Sequence, residues 1–547
     1  EMRIMIREEP GAIRLFLLGM AILIPAVWLD TSLTGSDEYR VTFRTALETA
    51  ASDDWTTPTL DQQPRLRKPP LYYWWLATSV RWLGSSPLSL RIWGIISAIG
   101  LALVAASIGK RSSGTSAAFI FVMLIGTVGI ATESRRAMLD IPMAFLLWLS
   151  IERGLKWHSD GGAMRAIAAG VLMALSTLIK PTAILFGVTA MISLFLLGPK
   201  RSPHAKLHHL LYMLLALLLV ALPWWYLVYQ QYPELLKGRW TEQIAHRELT
   251  WFHPEALPSL LGGMLGLILP WSISSIFALI AFSRRKAEGL ENHQRWMVLW
   301  VILSALPFLT MKTFERYLIP LLPAMTILTA TYLQDLEPRR RIRHLRTATI
   351  VAGIPCLLIA AFVGWFDTSL LAAVLIAFFW LLMWWSAGQG RILSCALCSS
   401  AQLAIVMGIG LPSIGIGALP TIPTICEGTR YATVKIDLLP TLALRQEEAI
   451  PILETDRASM KRHLPDEKST LFVMDRHLQA TEEVLDSLGR SSRSVATFGL
   501  FRSRKIFTRF PRADATDEDW LLAIQSRSLD RLRIPCTLLL VEAREDR

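Results

Sequence analysis

The feature of this sequence that most limits its fold is a series of apolar runs that recur from the N-terminus to about residue 413. Each run approaches the roughly 20 residues that a helix needs to cross the hydrocarbon core of a bilayer. The composition agrees, because 52% of the 547 residues are hydrophobic and only 18% are charged, whereas a soluble domain carries about 25% charge. We therefore predict a polytopic α-helical membrane protein.

The apolar runs predict about thirteen transmembrane helices. Their predicted limits are 13–30, 87–108, 114–131, 140–153, 163–178, 181–198, 207–229, 258–282, 293–310, 314–333, 345–364, 368–387 and 392–413. With the N-terminus in the cytoplasm, Lys and Arg concentrate in the inside loops, which is the positive-inside bias of membrane proteins. That bias explains the net charge of +12 better than a nucleic-acid partner does. In this orientation the two longest loops, about 31–86 and 229–257, face outward.

The composition changes after residue 424, where the charge rises and short apolar segments alternate with helical patterns. Segments 469–474, 494–500 and 536–541 are typical of strands, and 480–488 and 517–524 of helices. We predict a transmembrane domain over 1–424 and an outward, periplasmic α/β domain over 425–547. Cys426 and Cys536 both fall on the outer side, where oxidising conditions permit a disulfide between them. The sequence has no glycine-rich phosphate loop, which argues against a nucleotide-driven pump.

Two charged clusters lie close to the membrane in the first outward loop. Asp37 and Glu38 follow the first span directly, with Arg40 two residues later, and Lys68 precedes an aromatic run that begins at Tyr72. Adjacent carboxylates beside a partly desolvated cavity can act as a base, order an acceptor or stabilise positive charge. The alternative is that they mark a helix start, since acidic residues favour the first turn of a helix.

The outward loops also carry more cations than the positive-inside bias predicts. Taken singly, each cation is explained by a long side chain that reaches the interface or pairs with a nearby acid. Taken together, they favour an anionic ligand, because Arg holds phosphate through a planar fork and Lys acts as a point charge. The cations of this set are Arg40, Lys68, Lys180, Arg247, Lys312 and Arg316, with Asp140 and Tyr317 beside them.

Five motifs, in this order along the chain, resemble the membrane glycosyltransferases of the GT-C fold that use polyprenyl-phosphate sugars. The motifs are Gly35-x-Asp37-Glu38-x-Arg40, Lys68-Pro69-Pro70-Leu71-x-Tyr73-Trp74, Met138-Leu139-Asp140-Ile141-Pro142, Leu178-Ile179-Lys180-Pro181-Thr182 and Lys312 through Arg316-Tyr317 to Pro323. The sequence is most similar to the aminoarabinose transferases of lipid A, with the protein mannosyltransferases as more distant relatives. The resemblance extends over roughly residues 12–335, and the predicted span layout with an outward α/β domain is also similar.

The resemblance implies roles for individual residues. Asp37 is the key carboxylate, with Glu38 beside it as the second catalytic candidate. The implied substrate-binding residues are Arg40 and Lys68, which would hold the lipid phosphate, together with Tyr72, Asp140, Lys180, Arg247, Lys312, Arg316 and Tyr317. The chain departs from the family at Val41, where an aromatic residue is common, and at Arg67, where an acidic residue often precedes the lysine. A divalent metal is therefore possible but not supported by the sequence, and no cofactor is assigned.

The expected activity is transfer of 4-amino-4-deoxy-L-arabinose from undecaprenyl phosphate to a lipid A phosphate, at the periplasmic face of a bacterial inner membrane. Asp37 acts as a base if the acceptor is a hydroxyl, and orients or stabilises the sugar if the acceptor is a phosphate. One alternative is a different polyprenyl-linked sugar passed to a protein or glycan hydroxyl. Another is a flippase for lipid-linked sugars, although transporters usually have broken helices near mid-membrane and internal repeats, and no repeat is visible here.

Overall fold

The computed structural model describes residues 10–25, 27–29, 37–238, 256–284, 292–310, 314–436, 439, 442–446, 450–464, 468–502 and 510–543. Up to residue 414 the regular elements of the described chain are all helices apart from one short hairpin. Its helices are Ala12–Leu23, Glu38–Phe43, Arg44–Ala51, Leu71–Leu83, Pro87–Ser113, Ala117–Ile125, Val128–Glu133, Asp140–Asp160, Ala163–Ile179, Ala183–Leu197, His209–Gln231, Ala256–Leu267, Ser272–Arg284, Asn292–Ala305, Leu306–Leu309, Glu315–Leu321, Leu322–Asp335, Pro338–Trp365, Leu370–Gly388, Ile392–Ile405, Val406–Gly410 and Pro412–Ile414.

The long apolar helices confirm the prediction of a polytopic helical protein. Among the described residues, six helices are long and apolar enough to cross a membrane, and a seventh span results if Ala256–Leu267 and Ser272–Arg284, bent by 109°, are counted together. Each of the thirteen predicted segments contains at least one helix, but several of these helices are short, such as Ala12–Leu23 and Ala183–Leu197. The count of thirteen crossings stays a prediction.

The described part of the first loop that was predicted to face outward, residues 37–86, is folded rather than extended. A hairpin pairs Thr59–Leu60 with Gln63–Pro64, and both turn residues, Asp61 and Gln62, have positive φ (56° and 59°), as in a type I′ turn. Buried Glu48 accepts hydrogen bonds from the backbone N–H of Asp61 (2.8 Å) and of Gln62 (3.1 Å). This carboxylate orders the turn that precedes the Lys68 motif.

The C-terminal part contains a five-stranded mixed sheet. Its strand order is Ile452–Leu453, Arg430–Val434, Ser469–Met474, Ile534–Ala543 and Arg490–Leu500. The first three strands are parallel, and the last two pair antiparallel with their neighbours. The helices of this part are Leu442–Gln446, Arg457–His463, Leu478–Ser487 and Asp517–Ser526, with short 3-10 turns between them. The sheet and helices are α/β in composition, while the periplasmic location stays a prediction.

The proposed pairing of Cys426 with Cys536 is not found. Both thiols are free and buried. Strand register explains why: Arg430 pairs with Ser469 at one end of the central strand, whereas Cys536 pairs with Met474 at the other end. Cys426 precedes Arg430, so the two cysteines lie at opposite ends of the sheet, and a disulfide requires Cα atoms within about 7 Å.

The C-terminal part packs directly on the membrane part. Phe43 and Tyr73 of the first outward loop share one buried apolar cluster with Phe472 and Leu538 of the sheet. At a second contact the indole N–H of Trp365, at the end of Pro338–Trp365, donates to the Ile524 carbonyl at 3.0 Å. The sheet therefore covers the loop that carries the first charged motifs.

Gly94 lies where helix Pro87–Ser113 meets the turn at residues 134–136. A Cβ built on Gly94 would stand 2.5 Å from the Ser134 carbonyl oxygen and 3.0 Å from that of Arg136. Gly94→Ala must therefore displace backbone, and we expect a loss of about 1–3 kcal/mol of stability, the usual range for overpacking. Thermal unfolding of the purified protein measures this loss. Gly154→Ala is the matched control, since nothing lies within 4 Å of its added Cβ; equal losses would contradict the expectation.

Candidate active site

Arg316 joins two of the carboxylates that the sequence singled out. Its Nη2 donates to Asp37 Oδ2 at 2.8 Å, and its Nε lies 3.6 Å from Asp140 Oδ2. The side chain of Asp37 is 53% exposed, whereas that of Asp140 is 3% exposed. Asp37 therefore faces open space while a buried network holds it from behind.

Lys180 completes this network on its inner side. Its Nζ donates to Asp140 Oδ1 at 2.5 Å and lies 3.6 Å from the centroid of the Tyr317 ring, a cation–π contact. Lys180 occupies the break between Ala163–Ile179 and Ala183–Leu197, where Pro181 disfavours a helical conformation of the residue before it. Asp140 begins its own helix, so both charges are placed at helix ends on the same side of the bundle.

Glu38 has surroundings quite unlike those of Asp37, although the two are adjacent in sequence. Its side chain is fully buried and accepts hydrogen bonds from Arg91 Nε (2.8 Å), Arg91 Nη2 (3.3 Å) and the Ala137 backbone N–H (2.9 Å). Burial alone would raise the pKa of Glu38, but Arg91, with help from Arg136 and the amide, lowers it below its usual value. Both carboxylate oxygens are engaged, which favours a positioning role for Glu38; its predicted catalytic role stays a prediction.

Arg91 is a residue that the sequence analysis missed. Besides holding Glu38, its Nη1 donates to the carbonyls of Val27 (3.2 Å) and Leu29 (2.9 Å). One guanidinium therefore binds the chain on both sides of the segment that leads into Asp37. The sequence did contain an indication of this role, because Arg91 lies inside the predicted span 87–108. An unpaired charge within a span is expensive, so such an arginine requires a partner.

Tyr72 lies behind the same carboxylates. Its side chain is fully buried, and its hydroxyl has no hydrogen-bond partner among the described residues. Burial, together with the charges of Glu38 and Asp140, raises the pKa of Tyr72 well above its usual value. The hydroxyl is therefore protonated at neutral pH and available as a hydrogen-bond donor.

The remaining predicted site residues divide into two groups. Lys68 is half-buried just before helix Leu71–Leu83, and Arg40 is exposed within the helical turn that begins at Glu38. Arg247 and Lys312 lie outside the described residues. Within the described ranges, no three His, Cys, Asp or Glu side chains are grouped so as to hold a metal ion.

The charges of the buried network balance one another. Asp37, Glu38 and Asp140 face Arg91, Lys180 and Arg316 at ion-pair distances. An anionic ligand beside Asp37 would therefore need further cations. Chemically, the arrangement is a half-exposed carboxylate that a buried ion-pair network fixes from behind.

Comparison with known proteins finds similarity in sequence over part of the chain. Residues 67–226 match the family of dolichyl-phosphate-mannose-protein mannosyltransferases. An uncharacterized protein of Aquifex aeolicus (strain VF5) is 22% identical over 328 residues, which amount to 58% of this chain. The chain spans 62% of the length of that curated relative.

The structural comparison covers nearly the whole chain. ArnT from Cupriavidus metallidurans, in its crystal structure bound to undecaprenyl phosphate, matches with a TM-score of 0.66 at 17% identity, over 96% of this chain and 97% of ArnT. Its apo state matches with a TM-score of 0.64 over the same shares. The shared architecture shows that the fold is ArnT-like, of the GT-C type, which confirms the resemblance found in the motifs.

Proposed function

We propose that this chain transfers a sugar from a polyprenyl phosphate to a lipid A phosphate at the periplasmic face of the inner membrane. The specific sugar that we propose is 4-amino-4-deoxy-L-arabinose, and the specific carrier is undecaprenyl phosphate. The observation that carries the proposal is the half-exposed carboxylate of Asp37, held at 2.8 Å by Arg316 in an ArnT-like fold. The ArnT structure supports the choice of lipid carrier, since that protein is bound to undecaprenyl phosphate.

The proposed reaction breaks the bond between the anomeric carbon and the phosphate oxygen of the donor. Undecaprenyl phosphate leaves as an anion and therefore needs no general acid. Arg40 and Lys68 offset the growing negative charge on the leaving oxygen, and such electrostatic stabilisation is worth most where water is excluded. A direct displacement by the acceptor oxygen inverts the anomeric centre.

The acceptor determines what Asp37 does. A lipid A phosphate oxygen is already anionic, so no proton needs to be removed, and Asp37 orients the sugar or stabilises the positive charge that develops at its anomeric carbon. A hydroxyl acceptor instead gives its proton to Asp37 as the new bond forms. In both cases Arg316 keeps the carboxylate in place from behind.

Mass spectrometry of lipid A tests the proposal directly. The host should synthesise the lipid-linked aminoarabinose but lack its own transferase, and it would express either the full chain or an empty vector. We expect lipid A to gain one aminopentose only when the chain is present. Unmodified lipid A at normal protein level would refute the proposed sugar and acceptor, and incubation of the purified protein with other polyprenyl-phosphate sugars would then identify the donor.

A further inference from the structure

An apolar groove runs along the surface of the helical bundle. Its volume is about 520 Å³, which falls in the range of ligand sites. Ile184, Val188 and Ile192 line it at successive turns of one helix and are 44%, 52% and 44% exposed. The groove is therefore open to the lipid that surrounds the bundle. The helices that form it are Asp140–Asp160, Ala163–Ile179, Ala183–Leu197 and His209–Gln231, together with Trp296 of Asn292–Ala305.

The groove has room for a hydrocarbon chain. A Cβ added to Gly154, which lines the groove and is itself buried, would meet no atom within 4 Å. The lining positions from Ile184 to Leu196 extend about 18 Å along their helix, at about 1.5 Å per residue. One leaflet supplies half of the roughly 30 Å hydrocarbon core of a bilayer, so the groove is long enough for one acyl chain.

One end of the groove meets a basic connection, residues 198–208, which joins two of its helices. Ala205 of this connection belongs to a buried apolar cluster with Leu210 and Met213 of the groove lining. The Ser202 backbone N–H also donates to the His158 carbonyl at 2.9 Å, so the connection is folded against the end of the groove. Its charged residues are three exposed cations, and it contains no Asp or Glu: Lys200, Arg201 and Lys206.

The acids at this end of the helices are already paired with other cations. Buried Glu152 binds Lys156 at 2.7 Å and Arg111 at 3.0 Å, and Asp160 binds Arg165 at 3.2 Å. The basic connection is therefore a source of positive charge at the mouth of an apolar groove. The positive-inside bias explains basic loops in general, but it does not explain a groove with room for a chain beside this one.

We propose that the groove binds an anionic phospholipid of the bilayer, with one acyl chain along Ala183–Leu197 and the phosphate at Lys200, Arg201 and Lys206. Basic pockets between membrane helices bind anionic head groups in this way. The head-group end lies about 30 Å from Asp140, the length of helix Asp140–Asp160, so the site is separate from the charged network around Asp37. Its cations also lie at the opposite end of the groove from Lys180, which favours a phospholipid over the chain of the polyprenyl donor.

Native mass spectrometry of the purified full-length protein tests the charge preference. The protein, stripped of lipid in detergent, would be titrated with phosphatidylglycerol or with phosphatidylcholine of the same acyl chains. We expect the first phosphatidylglycerol to bind about 10- to 100-fold more tightly, because it is anionic overall and three cations attract it. Equal affinities for the two lipids would overturn the proposal.

Two triple variants separate a local site from general attraction by net charge. Lys200→Gln/Arg201→Gln/Lys206→Gln should abolish the preference for phosphatidylglycerol. The matched control removes the same charge from exposed arginines at the start of Pro338–Trp365 and should keep the preference; it is Arg339→Gln/Arg340→Gln/Arg343→Gln. Equal losses in both variants would mean that only net charge attracts the lipid, which would contradict a site at the groove.

Gly154→Phe tests the groove itself. The ring would occupy the space beside Gly154, and we expect both lipids to bind about 10-fold or more weakly, the equivalent of about two buried CH₂ groups. Unchanged affinity for phosphatidylglycerol in a variant of wild-type thermal stability would show that the acyl chain does not enter the groove.

A measurement on the wild-type protein keeps the proposal testable if Gly154→Phe does not fold. Phosphatidylglycerol with a photoreactive acyl chain should label Ala183–Leu197 and His209–Gln231 more than Leu370–Gly388, a control helix that is also largely unburied. Unlabelled phosphatidylglycerol should suppress this labelling. Equal labelling of all three helices, or suppression by undecaprenyl phosphate alone, would overturn the proposal. Because none of these measurements involves sugar transfer, their failure leaves the proposed function untouched.

Discussion

Asp37→Asn is expected to lower sugar transfer by about 100- to 10,000-fold, the range over which a positioned catalytic carboxylate contributes. The substitution preserves the size and shape of the side chain and removes only its charge and proton affinity. Stability should change little, because the Asp37 side chain is 53% exposed and exposed ion pairs contribute roughly 0–1 kcal/mol. Initial transfer rates on purified protein measure the loss, and lipid A mass spectrometry gives the corresponding result in cells.

Asp61→Asn is the matched control for this prediction. Asp61 lies in the same outward loop, is 60% exposed and also pairs with an arginine, Arg44, but it stands apart from the Arg316 network. Its substitution should leave transfer within about twofold of wild type, as for most surface changes away from a site. Transfer that survives in Asp37→Asn at equal protein level would exclude Asp37 as the catalytic group.

Much of this site was predictable from the sequence because its charges lie at span ends. Asp37, Asp140, Lys180 and Arg316 come from four separate motifs, and Asp37 and Arg316 are 279 residues apart along the chain. A helical bundle with short connections brings span ends of one side together, so charged residues at those ends become neighbours. Of the outer cations, Lys180 and Arg316 pair with Asp140, which is the alternative that the sequence analysis gave for single cations, and their use in binding an anionic ligand stays a prediction.

The different surroundings of Asp37 and Glu38 were not predictable. Adjacent residues in a helix point about 100° apart, and nothing in the local pattern decides which side chain faces the core. Arg91 had the same ambiguity, since an arginine near the start of a span usually extends to the interface. Its partner, Glu38, is 53 residues away, so only tertiary structure reveals the pair.

The C-terminal sheet shows the same division between local and distant information. The central strand, Ser469–Met474, has the predicted bounds, because residues 471–474 form a continuous apolar run after the β-branched Thr470, and all six residues are buried. Strand Arg490–Leu500 is longer than predicted, since its first half is polar and belongs to an edge strand. The mixed parallel and antiparallel order depends on pairing between distant segments, and the local sequence pattern does not predict that pairing.

Arg91→Met is expected to have the largest effect on stability, about 3–5 kcal/mol, because it leaves the Glu38 carboxylate as an uncompensated buried charge. It also releases the Val27 and Leu29 carbonyls, which Arg91 now binds. The chain is then freed on both sides of the segment that leads into Asp37. Transfer by the folded fraction should therefore fall in kcat more than in KM, since Arg40 and Lys68, the cations proposed to bind the donor, are retained. Thermal unfolding and steady-state kinetics on the same preparation measure both effects.

The double variant Arg91→Met/Glu38→Leu separates the loss of the ion pair from the loss of positioning. Replacing both members of a buried pair by apolar residues is often neutral for stability, so the double variant should recover most of the stability that Arg91→Met loses. Transfer should stay low, because neither apolar side chain can hold the carbonyls of Val27 and Leu29 or the amide of Ala137. Recovery of transfer together with stability would mean that the pair only stabilises the fold. Stability without transfer would show that Arg91 and Glu38 place Asp37 for the reaction.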